Sequence, residues 1–421
     1  MSANNLSNST ESSDSDSNSF ESNLTKSNNK NLIGEILNNK YLLITPIGSG
    51  TFSTVWLSLN LKTNQYYAMK IQNVDCYENG IDEINICKNL STDNCQYINK
   101  MIEHFEYINI NGSSDDVHIC MVFDICAGSL YDIMRIGIYS KGFSLDIVKK
   151  IIKQLLIAID ILTTKHKILH SDIKPENILV VGINNRIQEM IKLTENNKYL
   201  INYLKNNKQK KSNNLNKNLK EEIKKISFDS INIKYGNKSA LENTVFIDDK
   251  YINNIIIKLA DFGNCRKTNY SDFDIQTLYY RAPEMILQYK YNKNCDIWSV
   301  GCVIFELLTG KLLFNPDKTI RFSRKRHHLR DIISLLGKIP DNILITSIQK
   351  HEFFKTNGLL KGTYNVNYVS LKTLITNEVT NLKGFNDEEI KTLIELMYKL
   401  LDYDSFRRPD AKTILNSNWL K

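Results

Sequence analysis

Several short polar clusters in this chain have the residue types needed to bring a nucleotide phosphate to a hydroxyl group. The first is Gly48-Ser49-Gly50-Thr51-Phe52-Ser53-Thr54-Val55, preceded by Ile47 and lying between two strand-like runs. Paired glycines in a hairpin let backbone N–H groups approach a phosphate with no Cβ in the way. Phe52 is placed to cap the loop tip and Val55 to face a base. Fifteen residues after Val55, Lys70 closes Ala68-Met69-Lys70 near a strand end, where a cation on a flexible stem can pair with phosphate oxygens. Glu83, in the next helical stretch, is the acid that orients this lysine. The second cluster, His170-Ser171-Asp172-Ile173-Lys174-Pro175-Glu176-Asn177, follows an apolar helical pattern and precedes the apolar run Ile178 to Val181. There Asp172 can accept a hydroxyl proton, Lys174 can neutralise a transferred phosphate, and Asn177 can ligate a metal through its amide oxygen. Asp261, ahead of Phe262 and Gly263 at another strand end, offers a carboxylate fit for Mg²⁺. Each cluster alone is weak, but the ordered set implies phosphoryl transfer from a metal-bound nucleotide.

Elements must hold these residues in place. Tyr41 to Thr45, Thr54 to Leu59 and Tyr66 to Ile71 are short β-branched or aromatic runs separated by turn-like stretches, and predict an antiparallel three-strand meander. Ile81 to Leu90 reads as a short amphipathic helix and Val117 to Phe123 as another strand. After Gly128 the pattern turns helical. Leu145 to Thr164, with apolar residues at 147, 151, 155, 158, 159 and 162, predicts one long buried helix, and further helices are expected at 297–309, 327–336, 385–401 and 410–416.

The 421 residues carry 54 Lys+Arg against 46 Asp+Glu, a formal +8. With 42% hydrophobic and 24% charged residues the chain is not wholly disordered. No run of about 20 apolar residues predicts a membrane span, and the Ser/Asn-rich start lacks the pattern of a secretory signal. The eight cysteines form no C-x-x-C pair, so a zinc ribbon, a redox motif and a disulfide framework are not expected; a reducing, intracellular setting is. Residues 1–31 read as a disordered tail. Residues 183–244, simple and basic from Lys205 to Lys220, read as an inserted, mostly disordered linker. Much of the excess charge lies there and near 321–330, and reads as regulatory or docking charge rather than a nucleic-acid surface.

The ordered motifs, with Arg281-Ala282-Pro283-Glu284 and Asp296-Ile297-Trp298 after them, resemble the protein-kinase signature set. Gly50 to Trp56, Ile81 to Ile84, His118 to Phe123, His170 to Ile178, Asp261 to Asn264, Asp274 to Thr277, His328 to Gly337, Glu352 to Phe354 and Asn418 to Leu420 are similar to the SR-protein kinases of the CMGC group, which phosphorylate serines in Arg/Ser-rich segments. The resemblance runs from about Leu32 to Leu420 apart from the insert. That insert falls between Asn177 and Asp261, where the family has its spacer. The resemblance implies an α+β, bilobal protein-kinase fold: a small antiparallel β-sheet N-lobe with one helix (32–125) and a larger helical C-lobe (126–182 and 245–421). It implies a serine/threonine protein kinase using ATP and Mg²⁺. Asp172, Lys174 and Asn177 would be catalytic, and Asn177 and Asp261 would hold the metal. Ile47, Gly48, Ser49, Gly50, Thr51, Phe52, Ser53, Thr54, Val55, Lys70, Glu83, and the hinge from Asp124 to Cys126 would bind ATP. Phe123 would be the gatekeeper, Glu284 would clamp Arg408, and Asp296 would hold the catalytic-loop backbone. A Ser/Thr acceptor is implied by Lys174 and Thr277. Protein substrates, a monomer, no membrane or nucleic-acid partner, and a place in the cytoplasm or nucleus complete the expectation.

Two other classes are weighed. A pseudokinase scaffold would lack some of Lys70, Glu83, Asp172, Asn177 and Asp261, and all are present. A small-molecule kinase would not need the Ala-Pro-Glu segment and late helices that build a polypeptide-binding lobe. Three positions depart from the pattern. Ser53 replaces a third loop glycine, which the family tolerates. Ser171 replaces the Arg that usually grips an activation-loop phosphate, so activity without phosphorylation at Thr268 or Ser271 is expected. Arg321 to His327 is basic, and Ser334 stands in the following helix, where the family carries substrate-docking acids. Such a face would repel Arg/Ser repeats and attract acidic or phosphorylated partners.

Overall fold

The computed structural model describes residues 32–108, 116–135, 137–206, 220–227, 249–268, 273–316, 323–362, 368–380, 382 and 384–421. The 1–31 tail lies outside them, as do 207–219 and 228–244 of the insert.

Strands β1 (Ile36–Leu37), β2 (Tyr41–Ser49), β3 (Ser53–Asn60), β4 (Gln65–Gln72), β5 (Met101–Ile108) and β6 (Val117–Phe123) form one antiparallel sheet in the order β1-β2-β3-β4-β6-β5. The expected meander is its centre. β5 escaped the sequence pattern because Glu103, His104 and Glu106 interrupt it; an edge strand needs only intermittent burial. Directly paired residues share a face. The register Leu59↔Tyr66, Leu57↔Ala68, Val55↔Lys70 therefore lines up one inner face, while Tyr41, Leu43, Trp56, Met69, Ile71, Cys120 and Val122 pack together separately. Helix α1 (Tyr77–Ser91) covers the Lys70 end of the inner face, with Ile84, Cys87 and Leu90 in one cluster with Ile119 and Met121. It starts four residues earlier than the expected Ile81.

The chain crosses to the second lobe through β7 (Cys126–Ser129) and α2 (Leu130–Met134), whose start is fixed by a reciprocal Ser129–Asp132 capping box. Helix α3 spans Leu145–Thr164 as expected and buries Ile151, Ile152, Leu155 and Ile159. Short strands β8 (Ile168–Leu169), β9 (Ile178–Val181), β10 (Ile257–Leu259) and β11 (Arg266–Lys267) pair as β10-β9-β7 and β11-β8. They carry the catalytic segments between them.

The insert corrects an expectation. Against the expected mostly disordered linker, most of its described residues are helical: α4 (Asn185–Glu195), α5 (Lys198–Asn206) and α6 (220–227). Ile187, Met190, Leu200, Ile223 and Ile226 bury against Leu42, Ile44, Leu57 and Leu59 of β2 and β3. The Ser227 hydroxyl donates to Thr45 Oγ1 at 2.9 Å. Sparse apolar residues at i, i+3 spacing were hidden by the surrounding Lys and Asn, yet they are enough to cover a sheet face.

Helices α7 (Asp249–Asn253), α8 (Pro283–Leu287), α9 (Cys295–Thr309), α10 (Arg324–Leu336), α11 (Asp341–Thr346), α12 (Lys350–Phe353), α13 (Leu371–Val379), α14 (Asp387–Leu400) and α15 (Ala411–Leu415) complete the larger lobe. Every residue of α9 is buried, which makes it the axis of the lobe. Glu284 of α8 takes Arg408 bidentately at 2.5 and 2.7 Å, both side chains fully buried, as expected. No helix among the described residues is long and apolar enough to cross a membrane.

Candidate active site

Two sets of polar side chains meet in the cleft between the lobes. The first centres on Lys70. Its Nζ donates to Glu83 at 2.7 and 2.8 Å and to Asp261 Oδ1 at 2.7 Å. Burial alone would lower the Lys70 pKa, but the Asp261 and Glu83 carboxylates hold it above its ordinary value. Burial raises Glu83 against the pull of Lys70, while Lys70 lowers Asp261. The two acids differ in exposure: the Glu83 side chain is 2% accessible and that of Asp261 43%, so Asp261 alone can reach a ligand in the cleft. Asp261 also sits at φ 65°, a left-handed conformation unusual for a residue with a side chain.

The second set centres on Asp172. The Asp296 carboxylate accepts from the backbone N–H groups of His170 and Ser171 at 2.7 and 3.0 Å, which fixes the loop as expected. The His170 ring contacts the Ala260 carbonyl at 3.0 Å and packs edge-on against the buried Phe262 ring. Asn177 Nδ2 donates to the Asp172 carbonyl and carboxylate at 2.9 and 3.1 Å. Lys174 lies 2.9 Å from Asp172 Oδ2 and donates to Thr277 Oγ1 at 2.9 Å. Thr277 Oγ1 donates to Asp172 Oδ1 at 2.6 Å. Burial works to raise the Asp172 pKa, but Lys174 and the Thr277 hydroxyl outweigh it and hold the carboxyl below its ordinary value. Asp172 is thus ionised at neutral pH and in contact with a hydroxyl, as a proton acceptor must be.

The glycine-rich hairpin lies over this cleft. A Cβ at Gly48 or Gly50 would come no nearer than 3.6 or 3.9 Å to any other atom, and neither residue has positive φ. Folding does not require glycine there, which leaves close approach of a ligand as the reason for it. Phe52 is 54% exposed at the tip, and the loop is tied to the end of β4 by Asn73, whose N–H donates to the Phe52 carbonyl at 2.9 Å. Ile47 and Ile125 pack against the insert cluster, Phe123 ends β6, and Asp124 pairs with Lys258 at 3.2 Å. Cys126 begins β7, and burial pushes its thiol up to about 11.

The donor set fits Mg²⁺. An exposed carboxylate and an amide oxygen are hard ligands, and Mg²⁺ keeps waters and phosphate oxygens for its other positions. Among the described residues no group of three or more His, Cys, Asp or Glu is arranged to hold a metal by itself.

The structure adds residues that the motif reading left without a role. Gln276, at φ 70°, bonds Cys295, Ser299 and Ala282 through its side chain, and its carbonyl accepts from Arg281 at 2.9 and 2.7 Å, fixing the segment that carries Thr277. Asn264 Nδ2 approaches Asp172 Oδ2 at 3.4 Å. A polar residue directly before Thr277 was the available signal for Gln276. Ser171 is fully buried. In the basic stretch, Ser323 caps α10 and Lys325 is exposed, but His327 turns inward and is buried; Arg321 and Phe322 lie outside the described residues.

The family model described as "Protein kinase domain" matches residues 41–197 and 241–420. The chain belongs to the protein kinase family. The gap in the match, 198–240, falls within the insert. Among curated relatives, this kinase is 28% identical over 400 residues to the serine/threonine-protein kinase SRPK of Physarum polycephalum, covering 92% of this chain and 87% of that one. It is 27% identical to a putative serine/threonine-protein kinase of Acanthamoeba polyphaga mimivirus, covering 92% and 88%. It is 25% identical to human SRSF protein kinase 3, covering 92% and 87%. The pseudokinase alternative finds no support in these names or in the cleft, where all five polar residues meet.

Proposed function

We propose that this kinase transfers the γ-phosphoryl group of Mg²⁺-bound ATP to serine and threonine hydroxyls of proteins, with an SR-protein-kinase-type core and an altered docking charge. The observation that carries the first part is the Thr277 hydroxyl on Asp172 Oδ1 with Lys174 on both. This is a hydroxyl, a base and a phosphate-neutralising cation within hydrogen-bond reach of each other. Asp172 takes the proton of the acceptor hydroxyl as the new P–O bond forms. Lys174 stabilises the charge that gathers on the transferred group. Asn177 and Asp261 hold the metal, which when bound neutralises phosphate charge. Lys70, held by Glu83, and the hairpin 47–55 position the nucleotide phosphates, and 124–126 takes the adenine. Alignment of these groups, rather than covalent chemistry by the protein, supplies the rate.

The relatives' names favour serine/threonine-directed chemistry. The basic start of α10 favours acidic docking segments over Arg/Ser repeats. Proteins rather than nucleic acids as partners, a monomeric state and a cytoplasmic or nuclear place go with this reading. Profiling on Arg/Ser, acidic and proline-directed peptide libraries, with Asp172→Ala as control, tests both parts. Phosphate on Ser and Thr but not Tyr is expected, with acidic sets preferred. Arg324→Glu, Lys325→Glu and Arg326→Glu together should move the preference toward Arg/Ser. An unmoved profile would remove this helix from docking.

A further inference from the structure

The acid that holds Lys70 is itself held by a residue outside the motif set. Gln72, the last residue of β4, is 3% exposed, and its Nε2 donates to Glu83 Oε2 at 2.9 Å. Gln72 lies on the strand face that carries Lys70, since side chains two apart on a strand point the same way, and Glu83 reaches that face from α1. Glu83 Oε2 thus accepts from Lys70 and Gln72 together. The orientation of the amide follows from chemistry: the reverse would set its oxygen against a carboxylate. Its Oε1 is buried and has no hydrogen-bond partner among the described residues, so the amide gains its bonding from Glu83.

Gly80 opens the room for this side chain. It stands on α1 three residues before Glu83, hence on the same helix face. A Cβ there would lie 2.5 Å from Gln72 Oε1 and 2.8 Å from Ile119 Cγ1. Glycine weakens a helix interior, so its place one turn from the critical acid needs a reason, and the close approach of the amide gives one. The backbone of Gln72 is fixed as well. Its carbonyl meets His118 Nδ1 at 2.8 Å, and the residue pairs in register with Ser53 of the glycine-rich hairpin.

We propose that Gln72 is a positioning residue for nucleotide use: it ties α1 to β4 through Glu83 and so sets the Lys70 ammonium for the phosphates. The proposal rests on the reading that the Lys70–Glu83 pair serves ATP. A hydrogen bond to a charged group is worth enough that its loss should cost about ten- to a hundredfold. The test is steady-state kinetics on the full-length kinase carrying Gln72→Met or Gln72→Leu, with Glu83→Gln alone and combined with Gln72→Met. Both Gln72 variants lack the donor, and making two separates a misfit of either filler from loss of the bond. Expected is a fall in kcat/KM for ATP of about ten- to a hundredfold, with KM for the peptide unchanged, and no further fall when Gln72→Met is added to Glu83→Gln. A merely structural role would lower Tm and leave this pattern absent. A folded Gln72 variant with wild-type kcat/KM for ATP, or a full additional loss on Glu83→Gln, overturns the proposal. If Glu83→Gln itself leaves ATP kinetics untouched, the underlying reading of the ion pair fails instead.

Discussion

The inner face of the N-lobe sheet is covered at both ends, with hydrogen bonds to a buried carboxylate added at one of them. At one end α1 adds directional bonds to its apolar packing on Ile119 and Met121: Lys70 and Gln72 bond Glu83, with Gly80 allowing the approach. At the other, the insert helices lie on Leu42, Ile44, Leu57 and Leu59 through aliphatic side chains, with one buried hydroxyl pair, Ser227 to Thr45. Between them the face bears Val55, Ala68 and Lys70. Hydrogen bonds to charges fix atoms to fractions of an ångström, whereas apolar burial fixes area and tolerates small slips. The α1 end is therefore built for chemistry and the insert end for holding a lobe together.

The largest effect that tests this contrast is on stability at the insert. Ile223→Ala with Ile226→Ala should loosen its docking by about 2–5 kcal/mol for each well-buried site. Hydrogen exchange should quicken in 220–227 and along β2, while turnover on a peptide stays unchanged; a parallel loss of turnover would erase the distinction. A buried polar contact beneath the cleft sharpens it next. Tyr280 OH donates to Glu306 Oε2 at 2.7 Å, and burial pushes the Glu306 carboxyl up to about 7. A raised carboxyl binds its proton more tightly in the fold, so its stabilisation is full below about pH 4.5 and is lost as pH rises through about 7. Glu306→Gln removes that loss. Its gain in thermal stability over the wild type should grow between pH 5 and pH 8, to about 3 kcal/mol. A gain independent of pH would mean the carboxyl is not displaced. The smallest effect belongs to the activation segment. Ser171 is buried and uncharged, so Thr268→Ala, or phosphatase treatment, should leave activity as it was. Activity that is lost and then restored by phosphorylating Thr268 would contradict this.

How much of this was legible follows the same contrast. Asp172, Lys174, Asn177 and Asp261 announced themselves because charged and amide groups at the ends of apolar runs have few structural uses. Helix α3 was read to the residue because its apolar positions recur at helical spacing over 20 residues. The insert was not, because the five apolar residues that bury against the sheet are scattered among Lys and Asn and their partners lie over a hundred positions away in β2 and β3. Gln72 was invisible for a related reason, and Gln276 was marked only by its place directly before Thr277. A glutamine on a strand has no signature until the fold brings a carboxylate to it.

The central claim is that Asp172 accepts the proton of a Ser/Thr hydroxyl beside a correctly held nucleotide. Single-turnover transfer of labelled γ-phosphate from ATP to a serine peptide, wild type against Asp172→Ala, addresses it most directly. The account predicts a rate lower by about 10² to 10⁴ or more with the fold and ATP binding retained. Transfer at the wild-type rate by the folded variant would contradict it.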